Sequence, residues 1–234
     1  MSASALPTVL IPGLLCTPAL FAAQLPVFWR QGPVMVADTT RHDHIADAAR
    51  AILADAPPRF TLGGLSMGGY LAFEVLRQAP GRVAQLILFD TSARPDTDEA
   101  RDNRLQQIRL TEQGAFDRLP PMYPRLVSPG RVDDAALAAV VDDMRREVGA
   151  AAFSRQQKTI MSRPDSRPDL PGIGCRTLVV VGEGDQLTPP ALAQEMADGI
   201  KGAELSVIAG AGHLAPLERP EAVNAVLARW LGAV

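Results

Sequence analysis

Short unbroken apolar runs recur along this chain, separated by stretches whose apolar residues fall at helical spacing. Thr8-Val9-Leu10-Ile11, Leu86-Ile87-Leu88-Phe89, Thr177-Leu178-Val179-Val180-Val181 and Leu205-Ser206-Val207-Ile208 are the clearest runs. Runs apolar at consecutive positions suit strands covered on both faces. They predict strands near residues 8–11, 33–37, 59–64, 84–89, 176–182 and 203–208. Helical patterns fall between them, near 18–29, 43–55, 67–79, 190–200 and 219–232. In the third, Tyr70, Leu71, Phe73, Val75 and Leu76 share a face, and Pro80-Gly81 ends the helix. Strand alternating with helix predicts an α/β fold, a mostly parallel sheet of about six strands with helices on both faces.

The alternation stops between Arg94 and Pro171, where no convincing strand is found. Residues 98–116, 133–147 and 149–162 read as helices, with Leu137, Val140, Val141, Met144 and Val148 spaced for one apolar face. Leu119-Pro120-Pro121-Met122-Tyr123-Pro124 breaks the stretch. A chain of 234 residues suits a single well-buried α/β domain, 1–234, with 94–171 inserted in it. A net charge of −3 supplies no basic surface for nucleic acid, and no apolar run approaches a membrane span. Met1 to Pro7 lacks the charge and apolar core of a secretory signal, and Cys16 and Cys175 are expected as reduced thiols of a cytoplasmic protein.

One motif carries chemistry. Gly64-Leu65-Ser66-Met67-Gly68 places a serine where a predicted strand ends and a predicted helix begins. A sharp turn there holds the serine in strained φ/ψ, and the glycines remove the Cβ atoms that would clash. His213, in Gly210-Ala211-Gly212-His213-Leu214 after the last strand, is the candidate base. His42 and His44, in a polar stretch, read as solvated or helix-capping. Asp185, in the loop after the strongest strand, is the candidate orienting acid, with Asp90 and Glu183 as rivals. The turn at Pro12-Gly13-Leu14-Leu15 offers the Leu14 N–H to a developing oxyanion, and the elbow offers that of Met67. Leu14, Leu15, Met67, Leu187 and Leu214 make the surroundings apolar and favour an uncharged, hydrophobic substrate part. Cys16 lies near the turn but lacks an elbow of its own. Arg163-Pro164-Asp165-Ser166-Arg167-Pro168 and Arg94 read as salt-bridged returns to the sheet, with binding of an anionic substrate group as the other reading.

Together these pieces resemble the α/β-hydrolase superfamily, over nearly the whole chain. Gly64 to Gly69 is similar to its nucleophile elbow, Gly182 to Pro190 to its acid loop, and Gly210 to His213 with Glu218-Arg219-Pro220-Glu221 to its histidine loop. The order Ser, Asp, His also matches. Pro12 stands where many members have the histidine of a His-Gly pair. The few residues before the first strand imply that the family's N-terminal hairpin is trimmed. The insertion resembles the helical cap that shapes the pocket, which makes Phe116, Met122, Tyr123, Phe153 and Met161 candidates for its lining. The resemblance is to small carboxylesterases and enol-lactonases. It implies a serine hydrolase of small, mainly hydrophobic esters, with Ser66, Asp185 and His213 catalytic. Thioester or C–C hydrolysis, lyase chemistry and non-catalytic ligand binding are the alternatives. The expected partner is a small-molecule ester, without nucleic acid or membrane, and no metal or organic cofactor is called for; the oligomeric state is left open.

Overall fold

A computed structural model describes residues 6–232; residues 1–5, within the segment where no secretory signal is expected, lie outside the described residues. Six strands form one parallel sheet: β1 (Thr8–Ile11), β2 (Val34–Val36), β3 (Phe60–Leu65), β4 (Val83–Phe89), β5 (Arg176–Gly182) and β6 (Glu204–Ile208). Their spatial order is β2-β1-β3-β4-β5-β6. The order reverses between β1 and β3, the switch point outside which open α/β sheets bind ligands. The register brings the carboxyl ends together: Ile11 pairs with Gly64, Leu65 with Phe89, Phe89 with Val180, and Gly182 with Ile208.

Side-chain alternation divides the apolar runs between two cores. Ile11, Leu88, Val179 and Val181 face one side, with α2 (Ile45–Asp55), α3 (Met67–Gln78) and α7 (Pro190–Gly199). Leu10, Ile87, Leu178 and Val180 face the other, with α1 (Leu25–Trp29) and α9 (Pro220–Leu231). Both faces are dry, which is why these strands read as continuous rather than alternating runs.

Several boundaries differ from expectation, each at an identifiable residue. The predicted helix at 18–29 is a 3₁₀ turn, Pro18–Phe21, then α1, and a proline stands in the first turn of each. The last predicted helix is α9, which Pro220 opens, and a short unpredicted helix, α8 (Ala215–Glu218), precedes it. His44 caps α2, its Nδ1 accepting the Ala46 N–H at 3.3 Å.

The stretch between β4 and β5 holds α4 (Asp98–Glu112), α5 (Tyr123–Leu126) and α6 (Ala135–Met161). The two helices expected on either side of Val148 are one run, kinked where Gly149 takes φ 73°. Leu137 and Met144 are buried, whereas Val140 is 36% exposed and leaves the expected apolar face. Phe116 and Phe153 pack against each other, ring centroids 5.4 Å apart. The return to the sheet is salt-bridged: Arg167 pairs with Asp165, and Arg77 on α3 binds Asp169 and the Ser166 hydroxyl.

Candidate active site

Ser66 joins β3 to α3 and adopts φ 54°, ψ −113°, a conformation costly for a residue with a side chain. Its surroundings enforce that geometry. Its amide donates to Phe89 O at 3.0 Å, and the Thr91 hydroxyl donates to its carbonyl at 2.8 Å. A Cβ on Gly64 would meet Gly68 O at 2.3 Å, and one on Gly68 would meet Ile11 O at 2.0 Å. The glycines are therefore required by the close approach of elbow, helix and β1.

His213 follows β6 and Asp185 follows β5, and both are 3% exposed. His213 Nδ1 lies 2.9 Å from Asp185 Oδ2. Since that nitrogen donates to the carboxylate, Nε2 is left as the acceptor. Asp185 also accepts the Leu187 N–H at 2.9 Å, the Thr188 N–H at 3.0 Å and the Thr188 hydroxyl at 2.6 Å. Burial works to raise its pKa, but the hydrogen bond and charge of His213 and the hydrogen bonds of Thr188 outweigh it, and the carboxyl is held below its usual range.

The rival acids do other work. Asp90, at φ 42° after β4, accepts the Gly182 N–H at 2.8 Å and the Ala215 N–H at 3.3 Å. It thus ties the acid loop to the histidine loop. Burial, and then the charge of Asp185, push its pKa well above the ordinary value. Glu183 turns outward and accepts the Gly210 N–H. Glu218, 2% exposed, accepts the Gly212 N–H at 2.7 Å and the Ser128 N–H at 2.8 Å, clamping the histidine loop to the insertion.

At the β1 turn Leu15 takes φ 58° and donates its N–H to Gln156 Oε1 at 3.0 Å. The main-chain hydrogen bonds of the described residues assign no acceptor to the Leu14 or Met67 N–H. Both expected oxyanion donors are therefore uncommitted. Cys16 is buried beside this turn, and burial pushes its thiol up to about 12, so it is uncharged at neutral pH.

Ser66 and His213 line one cavity of about 480 Å³, with Leu14, Met122, Leu187 and Leu214. The serine hydroxyl and the imidazole are not hydrogen-bonded in this structure; such bonds are often long without substrate and tighten when it is in place. A second cavity of about 260 Å³ adjoins it and shares Leu14, Cys16, Met122, Leu126 and Leu214. Leu15 and Tyr123 line only this side cavity, with Ala138, Val141 and Met144. Phe116, Phe153 and Met161, expected as lining, border neither cavity. The phenylalanines bury each other instead. Met161 follows Ile160, which does line the cavity, and a helix turns about 100° per residue, so neighbours face different ways.

The main cavity also corrects the expectation of apolar surroundings. Its α4 side presents Asn103, Arg104 and Gln107, with Gln157 from α6 and Arg163 beyond it. Asn103, Arg104, Gln107 and Gln157, with Thr91 and Gln156, went unnoticed in the sequence, whereas Arg163 reads there as part of a salt-bridged return, with binding of an anionic group as the other reading. For Arg104 and Gln107 the signal was available: both fall three residues apart on the expected helix over 98–116.

The profile described as the alpha/beta hydrolase family matches residues 8–226. BpoC of Mycobacterium tuberculosis, named as a non-heme bromoperoxidase, is 30% identical over 83% of this chain and 76% of its own length. The 3-oxoadipate enol-lactonase 2 of Acinetobacter baylyi is 28% identical over 71% of this chain and 61% of its own. Among solved structures, a thermophilic esterase from Thermogutta terrifontis is 30% identical and superposes with a TM-score of 0.88, over 97% of this chain and 90% of that one.

Proposed function

The chain belongs to the alpha/beta hydrolase family, and from that premise we propose that it is a serine hydrolase cleaving small carboxylic esters through an acyl-enzyme on Ser66. The observation that carries this reading is the arrangement within one cavity: a strained serine, and a histidine whose far nitrogen is bonded to a buried carboxylate. The names of relatives point the same way, since an enol-lactonase and an esterase are among them.

In this mechanism the Ser66 hydroxyl attacks the acyl carbon while His213 Nε2 takes its proton. Asp185 holds the ring in the tautomer that leaves Nε2 free and stabilises the imidazolium that forms. The Leu14 and Met67 N–H groups receive the charge on the carbonyl oxygen, each worth roughly 10²–10³-fold in rate. The proton on His213 passes to the leaving alcohol. A water then gives a proton to Nε2 and attacks the acyl-enzyme, and as the acyl–Oγ bond breaks that proton returns from His213 to Ser66, releasing the acid. The apolar part of the substrate fits the side cavity between the β1 turn and the first half of α6. The helical insertion acts as its cap. A cytoplasmic setting belongs to the same proposal; both cysteines are free, and among the described residues no helix is long and apolar enough to cross a membrane.

A fluorophosphonate probe tests the central step. Wild type should be labelled on Ser66 and Ser66→Ala should not. Full activity of Ser66→Ala on a chromogenic ester would overturn the mechanism.

A further inference from the structure

Arg104 on α4 and Arg163 just beyond α6 both border the cavity that holds Ser66. Both engage the same acid. Arg104 reaches Asp96 through Nε at 2.9 Å and Nη2 at 3.3 Å, and Arg163 reaches it through Nη2 at 2.9 Å. The side chains of Arg163 and Asp96 are 8% and 7% exposed, and that of Arg104 is 21% exposed. Among the described residues no other acid pairs with either arginine. Two guanidiniums against one carboxylate leave a positive charge uncompensated in a largely buried wall. Arg94, at the same cavity, differs: Glu195 neutralises it through both carboxylate oxygens.

A buried charge without a counter-ion is costly, so the imbalance calls for an anion. The hydrogen-bond inventory says where it would sit. A guanidinium has five N–H donors. Arg104 commits three, two to Asp96 and one to Gln157 Oε1 at 2.6 Å. Arg163 donates two hydrogen bonds, to Arg94 O at 3.1 Å and Ile160 O at 3.0 Å, and its Nη2 makes an ion pair with Asp96. Each arginine keeps at least two N–H groups without a protein hydrogen-bond acceptor. The wall is rigid before any ligand arrives: Gln157 is held by Gln107 at 2.6 Å, and Arg163 stacks 4.1 Å above the Tyr70 ring. Fixed, planar donors on two neighbouring guanidiniums suit a carboxylate.

We propose that this wall is an anion subsite, and that the ester cleaved at Ser66 carries a second, ionised carboxylate seated against Arg104 and Arg163. This rests on the ester-hydrolase reading above and narrows its substrate class. The substrate then has a charged end toward α4 and an apolar part toward the side cavity.

Two pairs of esters test it. In each pair a carboxylate is replaced by a carboxamide of the same shape. Mono-p-nitrophenyl glutarate and its amide carry the group on the acyl side. The butyrate esters of 4-hydroxybenzoate and 4-hydroxybenzamide carry it on the leaving group. Wild type should prefer the carboxylate in at least one pair, by about 10–100-fold in kcat/KM, and that preference should persist at raised salt because the wall is buried. In Arg104→Gln and Arg163→Gln the carboxylate-to-carboxamide ratio should fall about tenfold or more. A wild-type ratio at or below one in both pairs would overturn the proposal, as would an unchanged ratio in both variants. Failure of the hydrolase reading looks different: no ester would be cleaved faster than by Ser66→Ala. In that event binding decides. Glutarate should raise the Tm of wild type but not of Arg104→Gln, and no rise in wild type would sink the subsite independently of turnover.

Discussion

Gln156 Oε1 accepts the Leu15 amide at 3.0 Å, so a fully buried glutamine on α6 holds the turn that presents the Leu14 amide. Gln156 is itself oriented, its Nε2 donating to Thr39 Oγ1 at 3.0 Å. The insertion thereby supports half of the expected oxyanion hole. Gln156→Ala should leave the Leu15 N–H without a partner at a residue already held at φ 58°. An orphaned buried donor costs about 1–3 kcal/mol. Loss of one oxyanion donor costs roughly 10²–10³-fold in kcat, and a displaced donor should give part of that. The expected result is a kcat lowered about tenfold or more with KM little changed, measured on a p-nitrophenyl ester. An unchanged kcat in a folded variant would mean that the turn holds its shape alone.

The rival acids separate by geometry and should separate by kinetics. Asp185 touches the imidazole, whereas Asp90 bonds the main chain of Gly182 and Ala215. Asp185→Asn should therefore lower kcat steeply, on the order of 10⁴-fold if it follows the loss seen in a serine protease triad. Asp90→Asn should cost far less in kcat. The opposite ranking would move the orienting acid to the end of β4.

The same two carboxyls should show opposite pH signatures in stability. The Asp90 pKa is raised in the fold above its ordinary value of 3.8, so the folded chain binds its proton more tightly than the unfolded chain. Stability from this group falls as pH rises above that value. The Asp185 pKa is lowered, so its contribution is present above 3.8 and is lost as pH falls below it. Asparagine cannot ionise. Urea unfolding from pH 4 upward should thus show Asp90→Asn gaining on wild type as pH rises, until pH passes the folded-state pKa of Asp90 and the gain levels off. A difference that is already constant or shrinking as pH rises from 4 would mean that Asp90 is ionised in the folded protein.

What the sequence made legible follows from what local rules reach. The elbow, the acid loop and the histidine loop each lie just after a strand, so a short window around Ser66, Asp185 or His213 carries both the residue and its context. The central strands β1, β3, β4 and β5 were equally plain because both of their faces are buried. The cap was not. Its helices are amphipathic toward a cavity rather than a core, so Arg104, Gln107 and Gln157 drew no notice, and Arg163 reads first as a salt-bridged return to the sheet. Two of the contacts that give them a role, Asp96 to Arg163 and Gln157 to Gln107, join residues far apart in the chain, and the third, Asp96 to Arg104, crosses the start of α4. Gln156 and Thr91 were missed for the same reason: nothing next to them in sequence shows the amide or carbonyl they meet.

The side cavity gives a last prediction, about the apolar half of the substrate. Val141 borders this cavity and not the one containing Ser66. It lies on α6, one turn from Ala138 and Met144 on the same inward face. Val141→Trp should fill part of the 260 Å³ space with a rigid side chain without touching the elbow. If an acyl chain enters there, each added methylene ceases to find room, and a methylene in an apolar pocket is worth roughly 10-fold or more in discrimination. The ratio of kcat/KM for hexanoyl over acetyl p-nitrophenyl ester should therefore drop at least about tenfold. A parallel loss on both esters would report damage to the cap rather than a filled pocket. An unchanged ratio would place the acyl chain elsewhere and leave the side cavity without a role in the reaction.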